Sequence, residues 1–224
     1  MIENKPVIIN ASVGGGWYPA GTDRLVRSLN YVGWAGEVKT WRDKWPNDNY
    51  DKSCKYNVKA AALEETLKEN YTHILWLDCS VWAIKDPMSV FDYIEDNGYY
   101  FWKSGFNCAQ TSSDKALNYF NVSRDDAEKM HEASTSMFGV NLKKDVGREF
   151  VETFIQSAKD GVFSGSREHD GQSGDDRFLF HRQDQTAASL IANKMGLKMT
   201  EPREYSAYWD DGIHKDVTFV MRGM

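Results

Sequence analysis

The 224-residue sequence holds only three cysteines and five prolines, and no apolar run in it approaches the ~18 residues that a bilayer-crossing helix requires. The cysteines, Cys54, Cys79 and Cys108, are odd in number and widely spaced. That pattern fits neither a disulfide framework nor the paired spacing of a structural zinc site, and it leads us to expect a reducing, cytoplasmic setting. The opening stretch MIENKPVIINAS carries an apolar run too short for a signal-peptide core. Basic residues are also in deficit, 27 Lys and Arg against 33 Asp and Glu, for a net charge of -6. The chain therefore has no global positive field to draw in a nucleic acid backbone or an anionic membrane. Repeats, heptads and linker-like segments are absent as well, so the expected organisation is one domain over 1–224. In abundance are aromatic side chains, eight Trp, eleven Tyr and eleven Phe, which suit a ligand cleft as well as a core.

Hydrophobic patterning alternates between strand and helix. Residues 7–11 read as a buried strand closed by Gly14-Gly15-Gly16. Leu25, Leu29 and Val32 then recur at helical spacing behind a Thr22 or Asp23 cap, with Gly33 ending that helix. A strand over 37–41, turn chemistry over 45–51 and a helix over 56–70 follow, the helix turning Ala61, Ala62, Leu63 and Leu67 inward. Residues 73–77 form the third strand, and a helix opens at Pro87. Strands are expected again at 99–102, 136–141 and 217–221, with helices at 146–159 and 183–194, the latter capped by Asp184. This order predicts an α/β fold with a mostly parallel, Rossmann-like sheet covered by helices and a ligand crevice at the carboxyl ends of its strands.

At one of those ends the stretch ILWLDCSVWAIKDP, residues 74–87, breaks an apolar run with Asp78. A strand buried on both faces tolerates a charge only where it projects beyond the sheet edge, so Asp78 either braces its own turn or faces a polar crevice. The stretch resembles the segment carrying the Asp-x-Asp motif of GT-A glycosyltransferases, with Ser80 where the second aspartate stands. The resemblance implies a nucleotide-sugar donor whose diphosphate is held through Asp78 and Ser80 by a divalent cation, Mn2+ or Mg2+. His214, in YWDDGIHKD, falls where several such families place a metal-binding histidine. Without a metal, Lys85, Arg182 or Lys215 would have to offset the phosphate charge.

Other segments share the resemblance. SVGGGWYPAGTDRL resembles the loop that receives the donor nucleoside, with Trp17 or Tyr18 stacking on a base; a flexible turn with a core aromatic is an equal account of it. Lys59 sits one turn from Lys55 on a helix, near where related enzymes reach for donor phosphates, although a solvated helix lysine is the simpler account. Asp184-Gln185 looks like the pair that opens an acceptor-side helix and contacts sugar hydroxyls, although aspartate is also a favoured helix cap. The resemblance thus implies a donor-binding half over about 1–105, an acceptor-side half over about 106–224, and sugar transfer to a glycan, protein or small-molecule hydroxyl by an inverting or retaining route. A sugar-nucleotide-binding protein without transfer activity is the alternative suggested by Ser80. Nucleotidyl transfer is disfavoured, because GGGWYPAG carries no basic residue.

Overall fold

Successive residues of the first strand enter different cores, and this alternation organises the molecule. The structure is a computed structural model that describes residues 4–165, 173–212 and 216–222. Strands β1 (Pro6–Ser12), β2 (Glu37–Arg42) and β3 (His73–Leu77) pair in parallel in the order β2-β1-β3. Beside β3 lies β6 (His131–Asn141), antiparallel to it, and β5 (Tyr99–Asn107) closes the sheet antiparallel to β6. All but β6 therefore run one way, which matches the expected mostly parallel sheet with one reversed strand. A small second sheet joins β4 (Val81–Ala83), β8 (Phe219–Met221) and β7 (Ser206–Tyr208).

Val7, Ile9, Ala11, Ile74 and Trp76 face one core together with Leu63, Phe150, Phe154 and Leu190. These come from α2 (Asn57–Thr66), α7 (Asp145–Lys159) and α8 (Asp184–Lys194). Ile8, Leu75 and Leu77 face the other core with Leu25, Leu29, Phe91 and Phe219, drawn in part from α1 (Tyr18–Tyr31) and α3 (Met88–Asn97). The polar segment before β6 folds into three short helices, α4 (Cys108–Thr111), α5 (Asp114–Tyr119) and α6 (Arg124–Glu128). Asn107, Ser113 and Ser123 cap them by accepting from backbone amides.

Several local expectations change. Helix α1 begins at Tyr18, with Pro19 in its first turn, so Thr22 does not cap it; Thr22 is buried and donates to Asn10 Oδ1 at 2.6 Å. Helix α2 stops at Thr66, and Leu67, expected inside, is exposed. The cap of α8 is Gln183, at φ +48°, and Asp184 is its first helical residue. Gln183 holds a left-handed backbone that costs a non-glycine residue free energy and marks a constrained turn into that helix.

At the amino end of β3, His73 is buried, with Nε2 2.5 Å from Glu95 and Nδ1 2.9 Å from the Thr72 hydroxyl. Lys143 and Asn141 also reach Glu95. Burial lowers the His73 pKa, outweighing the opposite pull of Glu95, with Lys143 and Lys144 lowering it further. Folded His73 is thus neutral where the unfolded chain begins to take up a proton, so stability present above the ordinary histidine value of about 6.5 is lost as pH falls. Urea titrations from pH 8 to pH 5 should show this loss, and His73→Gln should flatten that part of the profile. At the opposite end, Gly21 lets α1 approach the β3–β4 connection: a methyl there would overlap the carbonyl oxygen of Cys79 and the Trp17 ring. Gly21→Ala is expected to cost about 1–3 kcal/mol in chemical denaturation.

Candidate active site

Asp78 follows Trp76 by two residues and so projects from the same face of the sheet, toward α2 and α8. Its backbone amide continues the pairing with β6 by donating to Ser136 O at 2.8 Å. Its Oδ1 accepts from Trp76 Nε1 at 2.7 Å. Lys59, from the inner face of α2, passes the Trp76 ring at 5.6 Å and brings its ammonium 3.2 Å from Asp78 Oδ1. The same ammonium lies 2.8 Å from Asp184 Oδ2, where α8 begins, and donates to Thr135 O at 2.8 Å. The Thr135 hydroxyl donates to Asp184 Oδ2 at 2.8 Å. One lysine therefore ties together α2, β3, β6 and α8.

Thr135 reaches this cluster through a break in strand register. Phe138 faces the core shared by α2, α7 and α8, and so does Ala133, although residues an odd number apart on a regular strand face opposite ways. The pairing of β5 with β6 shifts between Tyr100 and Trp102, a bulge that resets side-chain parity and turns Thr135 toward Lys59. Ser134 and Ser136 face the other way, bonded to each other at 2.9 Å, with Ser136 Oγ 3.2 Å from Met221 Sδ.

The electrostatics follow from burial. Side-chain exposure is 8% for Lys59 and 3% for Asp184, against 32% for Asp78. Burial alone would favour the neutral amine of Lys59, but Asp184 and then Asp78 outweigh it and hold its pKa above the ordinary lysine value. Burial lifts the Asp78 carboxyl above the usual carboxylate range, more than Lys59 lowers it, and the like charge of Asp184 adds to the lift. Asp78 is the carboxylate of this cluster that lines the neighbouring cavity.

That cavity, of about 400 Å³, is lined by Val13, Trp17, Tyr18, Lys55, Trp76 and Ser80, among others. Trp17 and Tyr18 stand with ring centroids 4.6 Å apart, behind Gly14, Gly15 and Gly16, all at positive φ. Three consecutive left-handed residues form a turn that only glycine takes without strain. The floor beside Asp78 is tightly braced. Asn10 Nδ2 donates to Leu77 O at 2.7 Å, and the buried Cys79 thiol lies 3.3 Å from Ala11 O. Burial raises the Cys79 pKa, so the thiol is neutral at physiological pH. Arg24 Nη2 donates to the carbonyls of Cys79 at 3.2 Å and Ser80 at 2.9 Å while its guanidinium stacks over Trp82.

Of the residues singled out in the sequence, Trp17, Tyr18, Lys59, Asp78 and Ser80 share this cavity, and Asp184 joins them through Lys59. Gln185 does not line it: its Oε1 accepts from Thr135 N at 3.3 Å, and its side chain is buried against β6. Lys85 is exposed on the segment after β4, and Arg182 lies over the Phe180 ring. His214 and Lys215 lie outside the described residues. Asn10 and Arg24 went unrecognised in the sequence, and Thr22 was read only as a helix cap; an asparagine inside an apolar strand and an arginine on a helix carry no spacing signal.

The cation implied by the Asp-x-Asp resemblance calls for oxygen ligands arranged around it. Here Asp78 is the one carboxylate among the described residues lining the cavity, and its Oδ1 already faces an indole N–H and an ammonium. Among the described residues no cluster of three or more His, Cys, Asp or Glu is arranged for a metal. The described donor set does not fit a divalent cation. Removing the ammonium from between the carboxylates should be costly. Lys59→Met is expected to lose about 3–5 kcal/mol in denaturant unfolding, because Asp184 is left buried and unpaired. The double variant Lys59→Met/Asp184→Asn should lose clearly less than the sum of its single changes.

No protein-family model matches the sequence, and no curated protein is similar to it. Solved structures do resemble the fold. A glycosyltransferase involved in glycosylation of the major capsid of PBCV-1 superposes with a TM-score of 0.56 at 14% identity, over 97% of this chain and 92% of that one. Mouse xyloside xylosyltransferase 1 in its apo form gives 0.55 at 10% identity, over 96% and 97%. The bifunctional glycosyltransferase WbbM gives 0.56 at 11% identity, over 99% of this chain and 46% of that one. Among the described residues no helix is long and apolar enough to cross a membrane. The mixed α/β architecture of this chain, with its helix-flanked and mostly parallel sheet, is thus one it shares with glycosyltransferases.

Proposed function

We propose that the protein is a glycosyltransferase that takes a sugar from a nucleoside-diphosphate donor and passes it to an acceptor hydroxyl. The observation that carries this reading is the placement of Asp78. It stands at the carboxyl end of a central strand, linked by one lysine to Asp184, and opens onto a cavity walled by aromatic rings. In this reading the nucleoside enters beside Trp17 and Tyr18, with the base against an aromatic face. The diphosphate lies over Lys55 and Ser80, both of which line the cavity. The sugar then points toward Asp184 and the wall formed by β6. In the reaction the bond between the anomeric carbon and the diphosphate oxygen breaks, and a bond to the acceptor oxygen forms. The hydroxyl proton is released to solvent, and charge grows on the departing diphosphate, which cations beside it stabilise. Trp76 and Lys59 hold the Asp78 carboxylate in one orientation throughout, which favours a preformed donor site.

One observation favours a second reading, donor binding without transfer. Asp184 is almost wholly buried and already bonded to Lys59 and Thr135, leaving little of it to meet a substrate. The two readings part in one assay, incubation with a panel of nucleotide sugars followed by detection of free nucleoside diphosphate. Slow, donor-selective release that Asp78→Asn reduces at least tenfold is the expected result. Tight donor binding with no release from any member of the panel would leave the binding module as the better description. Trp17→Ala should weaken donor binding by about 1–3 kcal/mol, measured calorimetrically, if the ring stacks on the base.

A further inference from the structure

The notable occupant of this crevice is a cation that the protein carries itself. Lys59 Nζ lies 2.8 Å from Asp184 Oδ2 and 3.2 Å from Asp78 Oδ1, and it donates to Thr135 O at 2.8 Å. Its hydrogen-bonding capacity is used up by partners on three elements other than its own helix. Resting on the donor-site reading above, we propose that the Lys59 ammonium stands in for a divalent metal, and that the chain binds a nucleoside diphosphate without one.

Three further observations lead the same way. First, position 80 is a serine and it lines the cavity. A hydroxyl donates to a phosphate oxygen well, whereas a hard cation prefers a carboxylate. Second, Lys55 lines the same cavity and has no ion-pair partner among the described residues. An ammonium at that place is available to the phosphate groups. Third, Arg24 is fixed to the carbonyls of Cys79 and Ser80, adding a positive group behind the loop that carries Asp78. Lys55 and Lys59 both line the cavity that Asp78 opens onto, two ammonium groups beside one lining carboxylate. A floor of that sign accepts an anionic diphosphate directly. A divalent ion placed at Asp78 would meet the repulsion of an ammonium that already holds the same carboxylate.

Calorimetric titration of the full chain with uridine diphosphate and guanosine diphosphate, in EDTA and then in excess Mn2+, tests this. At least one of the two is expected to bind with the same Kd in both media, and Lys55→Ala should weaken that binding about tenfold. Mn2+ added alone should give no bound-ion signal in electron paramagnetic resonance. Ser80→Asp supplies a second carboxylate beside Asp78 and should gain bound Mn2+. Lys59→Met, with its fold verified by near-ultraviolet circular dichroism, should lose diphosphate binding in EDTA and gain Mn2+ affinity. Diphosphate binding by the wild-type chain that requires Mn2+, and that His214→Ala abolishes, would overturn the inference while leaving the donor-site reading intact. Absence of binding by either diphosphate in both media would overturn the two together.

Discussion

The buried ammonium of Lys59 is the constraint on which the rest of this crevice depends. A carboxylate as enclosed as Asp184 is stable in its charged form only with a counter-charge at hydrogen-bonding distance, and Lys59 is that counter-charge. The requirement runs in both directions, because a lysine side chain only 8% exposed needs the carboxylates equally. Neither partner can be placed without the other. Helix α2, the end of β3, the bulged part of β6 and the start of α8 consequently share one geometry. The exposed share of Asp78 is what remains for a ligand, held in orientation by Trp76 on one side and Lys59 on the other.

Around that ion cluster the protein builds a frame from neutral polar groups. Asn10 bridges β1 and the end of β3, Thr22 bonds Asn10 from α1, and the Cys79 thiol fills the space between them. Arg24 fastens the following residues by their carbonyls. Gly21 makes this close approach of α1 feasible by having no side chain to put in the way. Each contact is of modest strength, near 1 kcal/mol net, but together they leave the loop carrying Asp78 and Ser80 few alternative arrangements. Donors fixed in advance are what a site for developing negative charge needs.

Much of this was legible in the sequence, and the parts that were not share a cause. The bounds of β3 and the helix after Pro87 are written in local patterning, a run of four apolar residues after His73 and a proline that pre-sets the first turn. The place of Asp78 follows from that run ending. What local pattern cannot express is a partnership across the chain. Lys59 has the spacing of a solvated helix residue, and its partners lie 19 and 125 positions away. Asp184 looks like a cap because aspartates before helices usually are caps, whereas here its carboxylate is drawn inward by the lysine. The reversed direction of β6 is likewise invisible, since a buried strand reads the same either way. Its bulge at Thr135 leaves no mark in composition.

The position of β6 has a consequence for how the molecule is made. It lies between β3 and β5, both of which precede it in the chain, and Asp184 follows later still. While the polypeptide emerges from the ribosome, Lys59 and Asp78 are synthesised long before the residues that enclose them. The gap between β3 and β5 stays open until residues 131–141 have been translated. The ion cluster behind the crevice is thus a late product of biosynthesis, complete only once Asp184 at the start of α8 has arrived to meet Lys59.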